Sequence, residues 1–345
     1  MTAPSPPGVD LEALARWAET ECPELHPPFT GTFITGGRSN ITVRITDAEG
    51  ADFVVRRPPL HSVLATAHDV AREHRIIDAL GPTPLPVPRT VALCTDADVL
   101  GAPFYVMEFV HGHALNDVQA AMELDEAARG AAGLSLVDAH VALHAVDPDD
   151  VGLGTLAKKE DFIARQLRRW SGQWEQTHQR DVPAMERVHQ ILAANIPEQR
   201  ESRIVHGDFR LGNCIVSDDG HVSAVLDWEL CTLGDPLADV GYMLATWPRP
   251  SDEHSWDLEN PTTAPGFVER ADLIERYARE SGRDLGEIDY YVAFSYWRLA
   301  CILEGVYARS LGGAQGESDV DPDEFRVRVD NCVAAADERA ATLSR

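Results

Sequence analysis

Over roughly the first third of the chain, apolar residues come in short alternating or β-branched runs. Leu11, Leu14, Ala15 and Ala18 first recur at helical spacing after a Pro- and Gly-rich start, which predicts a short amphipathic helix. Phe33–Ile34, Ile41–Ile45 and Phe53–Val55 then form brief runs separated by Gly36-Gly37 and by Asp47–Gly50, the pattern of three antiparallel strands joined by hairpins. Pro58-Pro59 ends the third run. Val63, Val70, Ile76, Ile77 and Leu80 mark a helix over 62–80, stopped by Gly81-Pro82. Two further strands are predicted at Val91–Leu93 and Phe104–Val110.

Beyond residue 112 the spacing is mostly helical, over roughly 121–145, 159–178, 183–194, 266–281, 286–309 and 322–343. One stretch departs from it. Between Arg203 and Asp235, short apolar runs are separated by Gly212, Gly220 and Gly234, as expected of small strands that hold loops. Five strands with one main helix, then a helical half with an embedded strand-loop insert, predict an α+β bilobal architecture with a boundary between residues 111 and 112. The alternating βαβα period of a doubly wound dinucleotide fold is missing, and Gly152-x-Gly154 follows no clear strand and reads as a turn.

The chain has 345 residues, 44% hydrophobic and 25% charged, as in ordinary globular proteins. Asp and Glu total 56 against 30 Lys and Arg, a formal charge of −26, which argues against nucleic acid and anionic membranes as partners. Six scattered cysteines include no C-x-x-C pair, so reduced thiols are expected, and the missing leader pattern and membrane span predict a cytoplasmic location. Oligomeric state has no signature here.

The chemistry concentrates in Ile204–Val216, which contains His206-x-Asp208 and Asn213, and in Ala224–Glu229, where Asp227 follows an apolar run. Phosphoryl transfer needs one carboxylate to accept or orient the acceptor hydroxyl. It also needs an oxygen ligand and a second carboxylate to hold Mg2+ on the phosphates. Asp208, Asn213 and Asp227 supply these three groups in order. The H-G-D-x-x-x-x-N run, the later Asp227 and Gly234-Asp-Pro-Leu-Ala-Asp239 resemble the aminoglycoside phosphotransferase family of the protein-kinase-like superfamily. Within it the chain is most similar to the kinase-like domain fused to some acyl-CoA dehydrogenases, a likeness extending to Arg165-Gln166, Trp170 and the Trp297–Arg309 segment.

The resemblance implies a kinase-like fold, with an N-terminal nucleotide-binding lobe over 1–111 and a C-terminal lobe over 112–345. It implies Asp208 as catalytic base or orienting carboxylate, and Asn213 and Asp227 as Mg2+ ligands. Arg210 is expected to face the transferred phosphate, and His206 to brace the loop. Asp235 and Asp239 are expected to support the loop by accepting backbone hydrogen bonds at the start of a helix.

In the N-terminal half, Thr35–Asn40 resembles the family's nucleotide-covering loop, with Gly36, Gly37, Arg38, Ser39 and Asn40 placed to approach phosphate oxygens. The fold wants a strand cation on the phosphates, paired with a helix glutamate. Alternation puts Arg56 on the face of Val54 and makes it the first choice, with Arg57 the alternative and Glu73 the partner. Glu108 to Val110 would offer main-chain groups to the adenine edge.

The expected cofactors are ATP, or GTP in its place, and Mg2+, and the expected partner is a small-molecule hydroxyl acceptor. A hydroxylated metabolite or acyl compound is favoured over an aminoglycoside-like sugar. Trp170, Trp174, Tyr242, Trp247, Trp297 and Arg298 are candidates to line its pocket, with core packing the competing role. Arg where Lys is usual, and a loop without G-x-G-x-x-G, leave a nucleotide-binding regulatory module without phosphotransfer as the alternative.

Overall fold

The computed structural model describes residues 6–34, 40–59, 69–257, 259–311 and 322–343. The chain divides into two compact units, Met1–Gly112 with Ser223–Leu230, and His113–Val222 with Cys231–Arg345. The sequence boundary at 111/112 has no counterpart for the inserted 223–230 segment. Local bonds tie that segment to the first unit: Val225 N–H donates to Pro86 O at 2.8 Å, and Arg72 Nη1 to Glu229 O at 3.4 Å.

The first unit contains α1 (Leu11–Glu21), β1 (Thr30–Phe33), β2 (Ile41–Thr46), β3 (Asp52–Arg57), α2 (Val70–Leu80), β4 (Thr90–Cys94), α3 (Ala97–Leu100) and β5 (Phe104–Glu108). Its five strands form one antiparallel sheet in the order β1-β2-β3-β5-β4. Leu14 of α1 is buried in its core with Val43, Ile45, Val55, Phe104 and Val106. Asp10 starts α1 by accepting from the Glu12 and Ala13 amides. The first strand starts earlier than the expected Phe33–Ile34. Ile34 follows β1 and still donates its N–H to Thr42 O at 2.9 Å. Asp69 caps the described part of the expected 62–80 helix, and residues 62–68 lie outside the described residues.

The second unit contains β6 (His113–Ala114), α4 (Val118–Ala121), α5 (Glu126–Ala145), α6 (Phe162–Thr177), α7 (Pro183–Ala194), β7 (Arg203–Val205) and β8 (Cys214–Val216). After β9 (Val222–Val225), which runs into the segment grouped with the first unit, come β10 (Thr232–Gly234), α8 (Pro236–Ala245), α9 (Arg270–Ser281), α10 (Ile288–Leu311) and α11 (Pro322–Leu343). The expected 121–145 helix begins later, at Glu126, because Asp117 and Asp125 each start a separate helix by accepting the amide three residues on. Helix α10 is buried along most of its length and packs against α6, α7, α8 and α11. Gly241 permits the approach of α8 to α10, since a Cβ there would meet the Tyr291 backbone at 2.6 Å.

Candidate functional site

In the first unit the pleat of β3 decides the roles of two adjacent arginines. Phe53, Val55 and Arg57 share the face that packs toward α1, and Val54 and Arg56 share the other. Arg57 donates to the carbonyls of Gly8 at 2.7 Å and Leu100 at 2.6 Å, and is buried as a tie within the lobe. Arg56 instead reaches Glu73 of α2, with Nε 3.1 Å from Oε2, and Asp227, with Nη2 2.5 Å from Oδ1. Of the two candidates, Arg56 is thus the one that meets the helix glutamate and Asp227.

Burial pushes the Glu73 carboxyl up, against the pull of Arg56 beside it. Burial also works against charge on Arg56, but Glu73, Tyr105 and Asp227 outweigh it and hold the guanidinium protonated. Asp227 has φ of 66°, in the left-handed region that a non-glycine residue occupies at a cost. The turn that follows is anchored by Trp228, fully buried, whose Nε1 donates to Val225 O at 3.0 Å.

Asn40 is buried at the start of β2, and Gly36, Gly37, Arg38 and Ser39 lie outside the described residues. The Glu108 amide donates to Arg89 O, and its carboxylate accepts from Arg89 N–H, both at 2.9 Å. Val110 lies just past the strand.

In the second unit, β7 and β10 pair antiparallel and fix the two ends of the His206–Asp235 region. The loop after β7 turns at Gly207, with φ of 85°. Asp239, in the first turn of α8, accepts from the His206 amide at 2.5 Å and the Gly207 amide at 2.9 Å. His206 Nδ1 accepts from the Asp208 amide at 3.2 Å. Asn213 donates its side-chain amide to Asp208 O at 2.9 Å and to Asp208 Oδ2 at 2.8 Å, which leaves Asn213 Oδ1 as its ligand-type oxygen. Arg210 Nε lies 3.3 Å from Asp208 Oδ1.

Asp235 accepts a backbone amide at the start of α8, as expected, and has a further partner on α10. Its carboxylate caps α8 through the Leu237 amide at 3.0 Å and accepts from the Tyr291 hydroxyl at 2.7 Å, so it ties α8 to α10 and not to the loop.

Three groups at the site have no motif of their own in the sequence. His140 and His144, one turn apart on α5 and fully buried, each place Nε2 3.7 Å from Asp239 Oδ2. Burial holds both imidazoles below the usual histidine range, His144 at about 3. His144 Nδ1 lies 2.8 Å from the Tyr277 hydroxyl, and His140 stacks on Phe209 of the loop with ring centroids 4.0 Å apart. The third group is Tyr242, foreseen only as a pocket residue, whose hydroxyl donates to Asp208 Oδ1 at 2.6 Å.

The other pocket candidates separate by burial and bonding. Trp247 and Trp297 are core residues whose ring nitrogens donate to Val268 O and Met185 O. Trp174 stacks on His178. Arg298 lies over the rings of Trp170 at 5.4 Å and Tyr242 at 5.1 Å, and donates to Gly207 O at 2.6 Å. All six cysteines are buried and free, and no helix among the described residues is long and apolar enough to cross a membrane.

The first unit thus gathers a strand arginine, a helix glutamate and Asp227, and the second carries an Asp–Asn loop clamped from α8. Comparison with known proteins agrees with this organisation. Acyl-CoA dehydrogenase family member 10 of Mus musculus is 37% identical over 286 residues, covering 80% of this chain and 26% of the relative. Family member 11 of Rattus norvegicus is 34% identical over 298 residues, covering 84% and 38%. The chain therefore spans well under half the length of these curated relatives. A crystal structure from Ralstonia eutropha, provisionally assigned as an aminoglycoside phosphotransferase, is 31% identical with a TM-score of 0.82 and covers 96% of this chain and 98% of that one. Amicoumacin kinase hAmiN, solved in complex with AMP-PNP, Ca2+ and Ami, shares the fold at 15% identity and a TM-score of 0.63, covering 96% and 94%. The sequence profile of the phosphotransferase enzyme family matches residues 30–290, and the chain belongs to that family, with its bilobal, protein-kinase-like fold.

Proposed function

We propose that the protein transfers the γ-phosphoryl group of ATP, with GTP the other candidate donor, to a hydroxyl of a small molecule in an Mg2+-dependent reaction. The Asp208–Asn213 pair carries this reading: a carboxylate is held by the side chain five residues on, in a loop whose backbone is clamped by Asp239. Asp208 orients the acceptor hydroxyl and takes its proton. Asn213 Oδ1 and the Asp227 carboxylate would hold Mg2+, which would supply charge neutralisation on the phosphates. Both are hard oxygen donors of the type Mg2+ prefers. Arg56, kept charged by Glu73, binds the phosphates. Arg210 meets charge on the transferred group. In a chain of charge −26, these few groups supply the positive potential that a polyphosphate needs.

For the acceptor, a hydroxylated metabolite or acyl compound is favoured over a polycationic amino sugar. Two cations lie at this loop, Arg210 against the Asp208 carboxylate and Arg298 against Gly207 O, and both repel an ammonium-rich acceptor. The acyl-CoA dehydrogenase names of the curated relatives support the same choice.

The test is release of the nucleoside diphosphate, ADP from ATP or GDP from GTP, in the presence of Mg2+, across aminoglycosides and hydroxyacyl-CoA compounds. Turnover confined to aminoglycosides reverses the acceptor ranking. Nucleotide binding without transfer to any member of a broad hydroxyl panel favours a regulatory module.

A further inference from the structure

We propose that Tyr242 is a positioning residue for Asp208, setting the orientation of its carboxylate through the phenolic hydroxyl. The proposal rests on Asp208 being the carboxylate that orients the acceptor.

Asp208 has two oxygens and a broad side-chain torsion, so a loop that fixes only its backbone leaves the carboxylate plane undefined. Here the two oxygens are held from different directions. Asn213 donates to Oδ2 at 2.8 Å from within the loop, and Tyr242 donates to Oδ1 at 2.6 Å from α8. Tyr242 lies three residues after Asp239 on the same helix, so one helix face holds both parts of the loop. Asp239 grips the His206 and Gly207 amides, and Tyr242 grips the side chain of the next residue.

The phenol suits this task. It is buried, and burial followed by the Asp208 charge keeps it a proton donor well above the usual tyrosine range. Its ring is braced by Arg298, whose guanidinium sits 5.1 Å from the ring centroid while Nη2 bonds Gly207 O at 2.6 Å. Tyr242, Asp208 and Gly207 are thereby linked by groups from α8, the loop and α10. The hydroxyl donates to Oδ1 and leaves a lone pair of that carboxylate for the acceptor proton.

Tyr242→Phe keeps the ring and removes only the donor. The expected result is a fall in kcat of about 10–100-fold, the scale of a small displacement of a catalytic group, with KM for the nucleotide and the melting temperature nearly unchanged. Arg298→Gln leaves the hydroxyl and removes the cation above the ring, and its expected loss in kcat is smaller. It serves as the second variant if the first folds poorly. An unchanged kcat in a folded Tyr242→Phe protein overturns the proposal. So does a parallel change of kcat, nucleotide KM and melting temperature, which indicates packing alone. Asp208→Asn measured alongside separates the two claims. Wild-type turnover in that variant removes the assignment of Asp208 itself, whereas loss there with full activity in Tyr242→Phe removes only the role of Tyr242.

Discussion

Arg56 of β3 lies 3.1 Å from Glu73 of α2, with Nε facing Oε2, while its Nη2 meets Asp227. One guanidinium therefore pairs with two carboxylates, and both Arg56 and Glu73 are largely removed from solvent. Arg56→Ala leaves buried negative charge uncompensated and is expected to cost about 3–5 kcal/mol of stability, read from urea denaturation. Arg56→Lys keeps the charge but loses the fork that serves two partners, so its stability loss is smaller. A wild-type denaturation midpoint in Arg56→Ala contradicts the ion-pair account.

The clamp on the loop backbone has its own signature. Asp239 accepts two amides, and Asp239→Asn keeps one acceptor oxygen while losing the charge. The expected loss is about 1.5–3 kcal/mol, the worth of one charge-assisted hydrogen bond, together with reduced kcat. Equilibrium unfolding and steady-state kinetics on the same preparation check both parts.

His144 predicts an acid limb in stability. Burial, and then the neighbouring His140, hold its imidazole at about 3 against a free value of 6.5. The unfolded chain takes up this proton near pH 6.5 and the folded one only near pH 3. The contribution is therefore complete above pH 6.5 and is lost progressively as pH falls from there toward 3. Unfolding free energy measured from pH 7 to 4 should decline over this window. In His144→Gln the decline should be shallower by up to about 1.4 kcal/mol per pH unit, the slope of one proton. Equal slopes in the two proteins remove His144 from the account.

The thiols should be silent in the native state. All six cysteines are buried, and burial pushes the Cys214 thiol up to about 12. A colorimetric thiol reagent at pH 8 is expected to find essentially none in the folded protein and six after denaturation. Fast labelling of the native protein contradicts the burial.

Legibility in the sequence followed the range of the interactions. The three-strand start could be read because alternation and Gly or Asp turns are local, and the parity of β3 already separated Arg56 from Arg57. Helix α7, Pro183–Ala194, was expected over the same span because proline marks its first turn and one face is apolar. Helix α8 gave no amphipathic signal: nearly every residue from Pro236 to Ala245 is buried, so no polar face sets a period, and only the Asp235-Pro236 pair marked its start. The loop residues His206, Asp208, Asn213 and Asp239 were legible as an ordered motif. His140, His144 and the bond from Tyr242 to Asp208 were not, because they depend on helices packed together across long stretches of chain. Asp235 was placed at a helix start, but its second partner, Tyr291, belongs to α10 and carries no signal in the sequence around Asp235.

The central claim, that Asp208 orients the acceptor in a phosphoryl transfer, is tested most directly by comparing nucleotide affinity and phosphoryl transfer in Asp208→Asn and the wild type with the same acceptor. The account predicts turnover lower by about 10²–10⁴-fold, the range for loss of a general base, with the dissociation constant for the Mg2+–nucleotide complex essentially unchanged. Wild-type turnover in Asp208→Asn would contradict it.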